Sequence, residues 1–259
     1  MPSQDARPQH VHTRQALKLI AAQISSIPGE IGKNISKHLD VIRLAASKDA
    51  DVLVFPELSL TGYKPRLAGA LAAHPTDRCF DEFQVLSNRH GMLIAVGAPT
   101  KGTKGTEISM ICFQPGLERT IYSKQQLHLD ELPFFTPATE QRVLRHADQV
   151  LAPAICYESL QASHAEQAAA SGAGVYLASV AKSERGVTSA YSHYPKIAEK
   201  HSMTVLMANC VGPADTFIGA GRSAIWSSDG DLVCSADAFQ EALVAYDTRD
   251  GEASVFRLP

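Results

Sequence analysis

The sequence predicts an α/β fold, with sheet strands under helical cover. Three observations predict it. Short apolar runs recur along the chain, and segments with apolar residues at three- and four-residue spacing alternate with them. Turn-forming Gly, Pro and Asp mark the boundaries between the two kinds of segment. No internal repeat, low-complexity linker or composition shift divides the 259 residues. Residues 16–259 are therefore expected to form one domain, after a polar, disordered tail over residues 1–15.

Leu17–Ile24 reads as the first strand and Ile27–Gly29 as a turn. Ile31, Ile35, Leu39, Ile42 and Ala46 then share one face of an amphipathic helix over Glu30–Lys48. Val52–Phe55 is a strand stopped by Pro56, followed by a Gly-, Pro- and Ala-rich loop to about Pro75. A helix over Asp77–His90 ends at Gly91, a C-cap position. Met92–Ala98 is a strand, and Glu107–Phe113 with Arg119–Tyr122 makes a hairpin around Gln114–Pro115–Gly116. Arg142–Arg145 and Val150–Ile155 are short strands. Pro153 inside the second argues against a helix and against regular ladder pairing. The run ESLQASHAEQAAASG after Cys156 has helical composition and ends at Gly172. Val175–Val180 is a strand and Ser189–His201 a helix. Strands at Thr204–Asn209, Ser223–Trp226, Leu232–Cys234 and Glu241–Tyr246 complete the chain, with Ser228–Asp229–Gly230 turning between the second and third of them.

Hydrophobic content of 45% and charged content of 20% are those of an ordinary globular protein. A net charge of −3 makes no broad electrostatic case for nucleic acid or anionic membranes. No apolar run reaches the roughly 20 residues of a membrane helix, and the polar N-terminus lacks the apolar core of a signal peptide. The cysteines at 79, 112, 156, 210 and 234 are odd in number and widely spaced, without a CxxC pair. They fit reduced thiols in a cytoplasm. GAPTKGTKGT over Gly97–Thr106 resembles a phosphate loop, but Lys104 does not directly follow a glycine as the motif requires, so it reads as a hairpin loop. No HExxH or Cys/His cluster appears, so no metal is expected.

Three stretches carry chemistry. VLAPAICYESL (Val150–Leu160) delivers Cys156 at a strand-to-helix junction. There the positive end of the following helix is expected to lower the thiol's pKa and offer N–H groups to an anion. DVLVFPELSLTGY (Asp51–Tyr63) delivers Glu57 at a strand's carboxyl end. IYSKQQLHLDELPFFTP (Ile121–Pro137) places Lys124 just after a strand, with Glu131 seven positions on. In open α/β sheets the ligand crevice lies beyond those carboxyl ends.

Glutamate, lysine and cysteine in that order, with PELSLTGY, YSKxxL and ICYE around them, resemble the nitrilase superfamily of carbon–nitrogen hydrolases. Softer matches are Ala21–Gln23, Asn34, MANCVG, GRSAI and SSDG, so the resemblance covers roughly Lys18 to Asp247. It implies two sheets face to face with helices outside, a four-layer α-β-β-α sandwich, and a homodimer or higher homo-oligomer. It further implies Cys156 as nucleophile, Glu57 as general acid and base, and Lys124 with the Tyr157 backbone N–H as oxyanion donors. Glu131 would hold the lysine. Such a set forms and resolves a thioester. Cys79, Cys112, Cys210 and Cys234 read as packing residues.

Gln126 stands where many members have histidine, Ala138 where a glycine usually follows the proline, and Ile197–His201 does not match a frequent Arg-Ala-x-Glu-Asn segment. These departures leave the three core residues untouched but bear on substrate. The expectation is a cytoplasmic, cofactor-free amidase that converts a small linear amide to acid and ammonia. Nitrile hydrolysis and N-carbamoyl cleavage are alternatives on the same residues. A Cys–His hydrolase using His128 or His193, and a non-catalytic binding protein, are the rivals from other classes. Because Val175–Val180 should run parallel to the Cys156 strand, the following AKSERG segment is expected on the crevice rim. Lys182 and Arg185 would there grip a substrate carboxylate remote from the scissile amide.

Overall fold

In the computed structural model, which describes residues 16–258, the period-two alternation of the strands sorts their side chains between two faces. The tail expected over residues 1–15 lies outside the described residues. The first half of the chain comprises β1 (Lys18–Gln23), α1 (Ile31–Ala46), β2 (Val52–Val54), α2 (Pro65–Leu71), α3 (Asp81–His90), β3 (Leu93–Lys101), β4 (Thr106–Phe113) and β5 (Thr120–Ser123). Next come β6 (Leu144–His146), β7 (Gln149–Ile155), α4 (Ala162–Ala170), β8 (Val175–Val180), α5 (Glu184–His201) and β9 (Thr204–Asn209). The chain closes with β10 (Val211–Pro213), β11 (Ile218–Ala220), β12 (Ala224–Trp226), β13 (Leu232–Ser235), β14 (Ala242–Asp247) and β15 (Ala253–Arg257).

Two sheets form. One has seven strands in the order β15-β14-β1-β2-β3-β4-β5, the other six in the order β13-β12-β9-β8-β7-β6. Their centres are parallel, β1–β2–β3 in the first and β7–β8–β9 in the second, and the flanking pairs are antiparallel. Leu19 and Ala21 of β1, Val52 and Val54 of β2, Leu151 and Ile155 of β7 and Leu177 of β8 meet in one buried cluster, so the sheets lie face to face. The alternate residues point outward. Ile20, Leu53 and Ile94 pack with Val41 and Ile42 of α1 and Phe83 and Leu86 of α3. On the far side Ala152, Tyr176 and Val205 pack with Ala165 and Ala168 of α4 and Ala190 and Tyr194 of α5. The layering is α-β-β-α.

Several boundaries differ from the sequence reading for physical reasons. Pro65 at the first position of α2 fixes a helical φ, so a stretch read as loop contains a helix. Arg78–Phe80 is a 3₁₀ turn, and α3 proper starts at Asp81. Pro153 is accommodated because β6 pairs with β7 only as far as Leu151, leaving β7 an edge beyond it. The β10–β11 hairpin and β15 escaped notice, being short or only half-buried. The stretch GAPTKGTKGT, expected to be a hairpin loop throughout, is strand as far as Lys101, which pairs with Thr106, so the loop is only residues 102–105. Among the described residues no helix is long and apolar enough to cross a membrane.

Candidate active site

Glu57 and Cys156 sit where the central strands β2 and β7 end, and Lys124 sits where the edge strand β5 ends. Glu57 leaves β2 on a loop whose neighbour Leu58 has φ +53, and whose backbone rests on β3. The contact is tight: a Cβ on Gly97 would lie 2.3 Å from the Pro56 carbonyl oxygen and 2.5 Å from the Leu58 nitrogen. From α1, His38 packs against Phe55 with ring centroids 4.3 Å apart. Its Nδ1–H donates to the Asn34 carbonyl at 2.7 Å, so its Nε2 accepts from the Ser59 hydroxyl at 2.9 Å. Burial drives the imidazole down to about 4, keeping it neutral. Asn34 donates to the carbonyls of Ile27 and Leu60, closing the other side of the loop.

Lys124 follows β5 and is fully buried. Its ammonium donates to Glu57 Oε1 at 2.8 Å and to Glu131 Oε1 at 2.7 Å. The Tyr63 hydroxyl donates to the same Glu131 oxygen at 2.9 Å, and the His128 backbone N–H donates to Oε2 at 2.7 Å. Glu57 Oε2 is buried and has no hydrogen-bond partner among the described residues. It is the acceptor left open. Burial raises the Glu57 carboxyl to about 7, with Lys124 opposing the rise and Glu131 adding to it. Burial works against the Lys124 ammonium, but Glu57, Cys156 and Glu131 outweigh it and raise its pKa above the ordinary lysine value.

Cys156 ends β7 with φ +46, a left-handed conformation that costs a non-glycine residue about 1–3 kcal/mol. Its N–H donates to Ser179 of β8 at 3.0 Å, and its carbonyl accepts from the Ser159 hydroxyl at 2.6 Å. Among the described residues the Tyr157 backbone N–H has no acceptor. The thiol departs from expectation. Burial, then the Glu57 charge, lifts it to about 11, with Lys182 and Lys124 pulling the other way. The helix expected right after Cys156 is a three-residue 3₁₀ turn, Glu158–Leu160, broken by extended Gln161 before α4 begins at Ala162. Its positive end therefore does not sit on the sulfur. The resting group is a thiol beside a carboxylate.

Sequence reasoning missed Glu158, a buried carboxylate that ties two loops together. Its Oε1 accepts from the Ile155 N–H at 2.8 Å and the Tyr122 hydroxyl at 2.6 Å, while Oε2 accepts from the Gln125 N–H at 2.7 Å. The cysteine and lysine loops thus share one anchor. The acidic residue in ICYE was the signal available. The softer matches prove structural too: Gln23 accepts from the Ser223 N–H and donates to two carbonyls near Asp237, and Asn209 clamps the backbones of Lys182 and Gly221.

The AKSERG segment needs correction. Helix α5 begins at Glu184, not Ser189, so Arg185 is an exposed residue in its first turn rather than part of a rim loop. Lys182 is buried, and its ammonium lies 3.3 Å from the Cys156 carbonyl oxygen and 3.8 Å from Sγ. The two cations do not form one remote grip. Cys79 also differs from its reading, being exposed, whereas Cys112 is buried. His128 pairs with Asp130 at 2.5 Å, and among the described residues neither it nor His193 hydrogen-bonds Cys156. No group of three or more His, Cys, Asp or Glu that could hold a metal occurs among the described residues.

Among curated proteins, this chain is 27% identical to a glutamine-dependent NAD(+) synthetase of Aquifex aeolicus, across 93% of its own length and 44% of the relative's. It is 23% identical to the protein of the same description from Acinetobacter baylyi, over 88% of the chain and 43% of that relative. The chain thus spans less than half the length of the curated relatives it matches. Among solved structures, an amidase from Nesterenkonia sp. AN1 superposes with a TM-score of 0.82 at 22% identity, covering 90% of this chain and 93% of that one. A cysteine variant of that amidase, described as a member of the nitrilase superfamily, gives 0.83 at 21%, covering 93% and 94%. These likenesses agree with the four-layer fold, and the carbon–nitrogen hydrolase family model matches residues 18–253. The chain belongs to the carbon–nitrogen hydrolase family.

Proposed function

We propose that this carbon–nitrogen hydrolase is an amidase that converts a small linear amide to a carboxylic acid and ammonia through a thioester on Cys156. One observation carries the reading: a buried lysine bridges two buried carboxylates, one of which leaves an open oxygen in the same site as a strained thiol. Glu57, raised towards neutrality, takes the thiol proton as sulfur attacks the amide carbon. The oxyanion that forms is met by the Lys124 ammonium and the Tyr157 N–H. Glu57 then gives its proton to the departing nitrogen, and ammonia leaves. Water, deprotonated by Glu57, attacks the thioester and releases the acid, restoring the thiol. Glu131 keeps Lys124 aimed at the reacting oxygen. Every proton and every charge in this cycle is handled by the chain's own groups.

The curated relatives favour a second reading of the substrate: they are glutamine-dependent, and the glutamine side chain is itself a linear primary amide. The test is ammonia release from a panel of aliphatic primary amides, glutamine, nitriles and N-carbamoyl compounds, with Cys156→Ala as control. We expect release from amides and none from the variant. Release from nitriles or carbamoyl compounds alone replaces the amidase reading. Family resemblance further leads us to propose a homodimer or higher homo-oligomer, which light scattering on the purified chain measures.

A further inference from the structure

Lys182 is a buried lysine held beside the sulfur, and no ion pair among the described residues involves it. Its backbone is fixed on both sides: the N–H donates to Asn209 Oδ1 at 2.8 Å, and the carbonyl accepts from Ala220 at 2.9 Å. Its stem lies over the first turn of α5. A Cβ on Gly186 would come within 3.0 Å of Lys182 Cβ and 3.3 Å of Cγ. Glycine there lets the stem pass, and the ammonium ends 3.8 Å from Cys156 Sγ. Lys124 differs, because two carboxylates share its charge.

We propose that Lys182 is a further catalytic residue, whose uncompensated positive charge stabilises the Cys156 thiolate as the thiol proton moves to Glu57. This rests on the reading of Cys156 as nucleophile and Glu57 as base. The step balances: the S–H bond breaks, an O–H bond forms on Glu57, and the electron pair stays on Sγ. One negative charge thereby moves from the carboxylate to the sulfur. With Cys156 counted, Glu57, Glu131 and Lys124 leave the site with one net negative charge before and after the transfer, and the transfer places that charge on the sulfur. Lys182 cancels it at the atom where the charge arrives. Of the two lysines that pull the thiol down against burial, Lys182 acts more strongly. The other titratable groups acting on the sulfur or acted on by it are Glu57, Lys124, Glu131 and Tyr63 on the first-sheet side, and Tyr194 and Cys210 on the second. None of these besides Lys124 brings a positive charge.

The test is the pH dependence of Cys156 alkylation in the full chain, read by peptide mapping with neutral iodoacetamide and anionic iodoacetate. Lys182→Met is expected to move the inflection up by about one pH unit or more, which lowers the rate below it roughly tenfold. Iodoacetate should lose more than iodoacetamide, and Lys182→Arg should retain most of the wild-type profile. Gly186→Ala keeps the charge but displaces the stem, so it should give a smaller shift in the same direction. That variant carries the comparison if Lys182→Met does not fold. Profiles that coincide with wild type in these variants, whatever their turnover, overturn the proposal. A wild-type Cys156 that resists both reagents at every pH removes the nucleophile reading and this inference together. A reactive Cys156 indifferent to Lys182 removes the inference alone.

Discussion

In the proposed mechanism Glu57, Lys124 and Cys156 act as one unit, because a proton, a charge and a bond pass among them in a single step. Cys156→Ala, Glu57→Gln and Lys124→Ala are each expected to lower kcat by about a thousandfold or more, with double variants losing little beyond the singles. Steady-state ammonia release with circular dichroism of each variant checks this; a Glu57→Gln enzyme of near-native rate contradicts it. The pH profile follows from the same residue. Glu57 must be ionised to take the thiol proton, and burial raises its carboxyl from 4.5 to about 7. A raised pKa holds the proton to higher pH. We therefore expect kcat/KM to fall as pH drops through about 7, where an ordinary glutamate would stay active to below 5. An acid limb near 4.5 would show that Glu57 is not the group that titrates. These three residues were legible because each stands in a short motif at a strand end. The thiol's raised pKa was not, since it comes from burial and from a carboxylate about a hundred positions away.

At the scale of elements, the site depends on loops that three contacts hold in register: Gly97 under the glutamate loop, His38 beside it, and Glu158 between the lysine and cysteine loops. Glu158→Gln would replace a carboxylate oxygen with an amide that cannot accept, leaving one of the backbone N–H groups of Ile155 or Gln125 facing a donor. We expect a loss of about 1–3 kcal/mol in stability, seen by calorimetry, together with a drop in kcat/KM. Gly97→Ala would force the Pro56–Leu58 backbone off β3 at a cost of about 1–3 kcal/mol. Because that loop carries Glu57, turnover should fall while Cys156 still alkylates. Equal activity in the variant would show that the loop tolerates the shift. The strands and amphipathic helices behind these loops were readable from periodicity. The start of α5 was not: Gly186 looks like a breaker, and only the Lys182 stem packed on it explains why glycine stands in a helix. Arg185 was misread for the same reason.

For the whole molecule, the two sheets share one interior, so neither has a core of its own on that side. Leu177 of β8 and Val54 of β2 lie in the same cluster. We expect a single cooperative unfolding transition by near- and far-ultraviolet circular dichroism, and a loss of about 2–5 kcal/mol for Leu177→Ala. Two separated transitions would show that the sheets fold independently. The same stacking brings the end of β2 onto the end of β8, which pairs with β7 as far as Ile155–Ser179. The Glu57 N–H reaches the Val180 carbonyl at 3.4 Å, and the Ser179 hydroxyl donates to the Phe55 carbonyl at 2.8 Å. Strand alternation revealed the α/β class, but the face-to-face stacking followed from the family resemblance, since a period of two does not tell which sheet covers a face. The proposed chemistry requires a covalent intermediate on Cys156, which acid-quenching the enzyme during turnover of a primary amide, followed by peptide mapping, would trap. We expect the mass of the substrate's acyl group on the peptide bearing Cys156 and no turnover in Cys156→Ala; continued ammonia release from that variant would rule out the thioester.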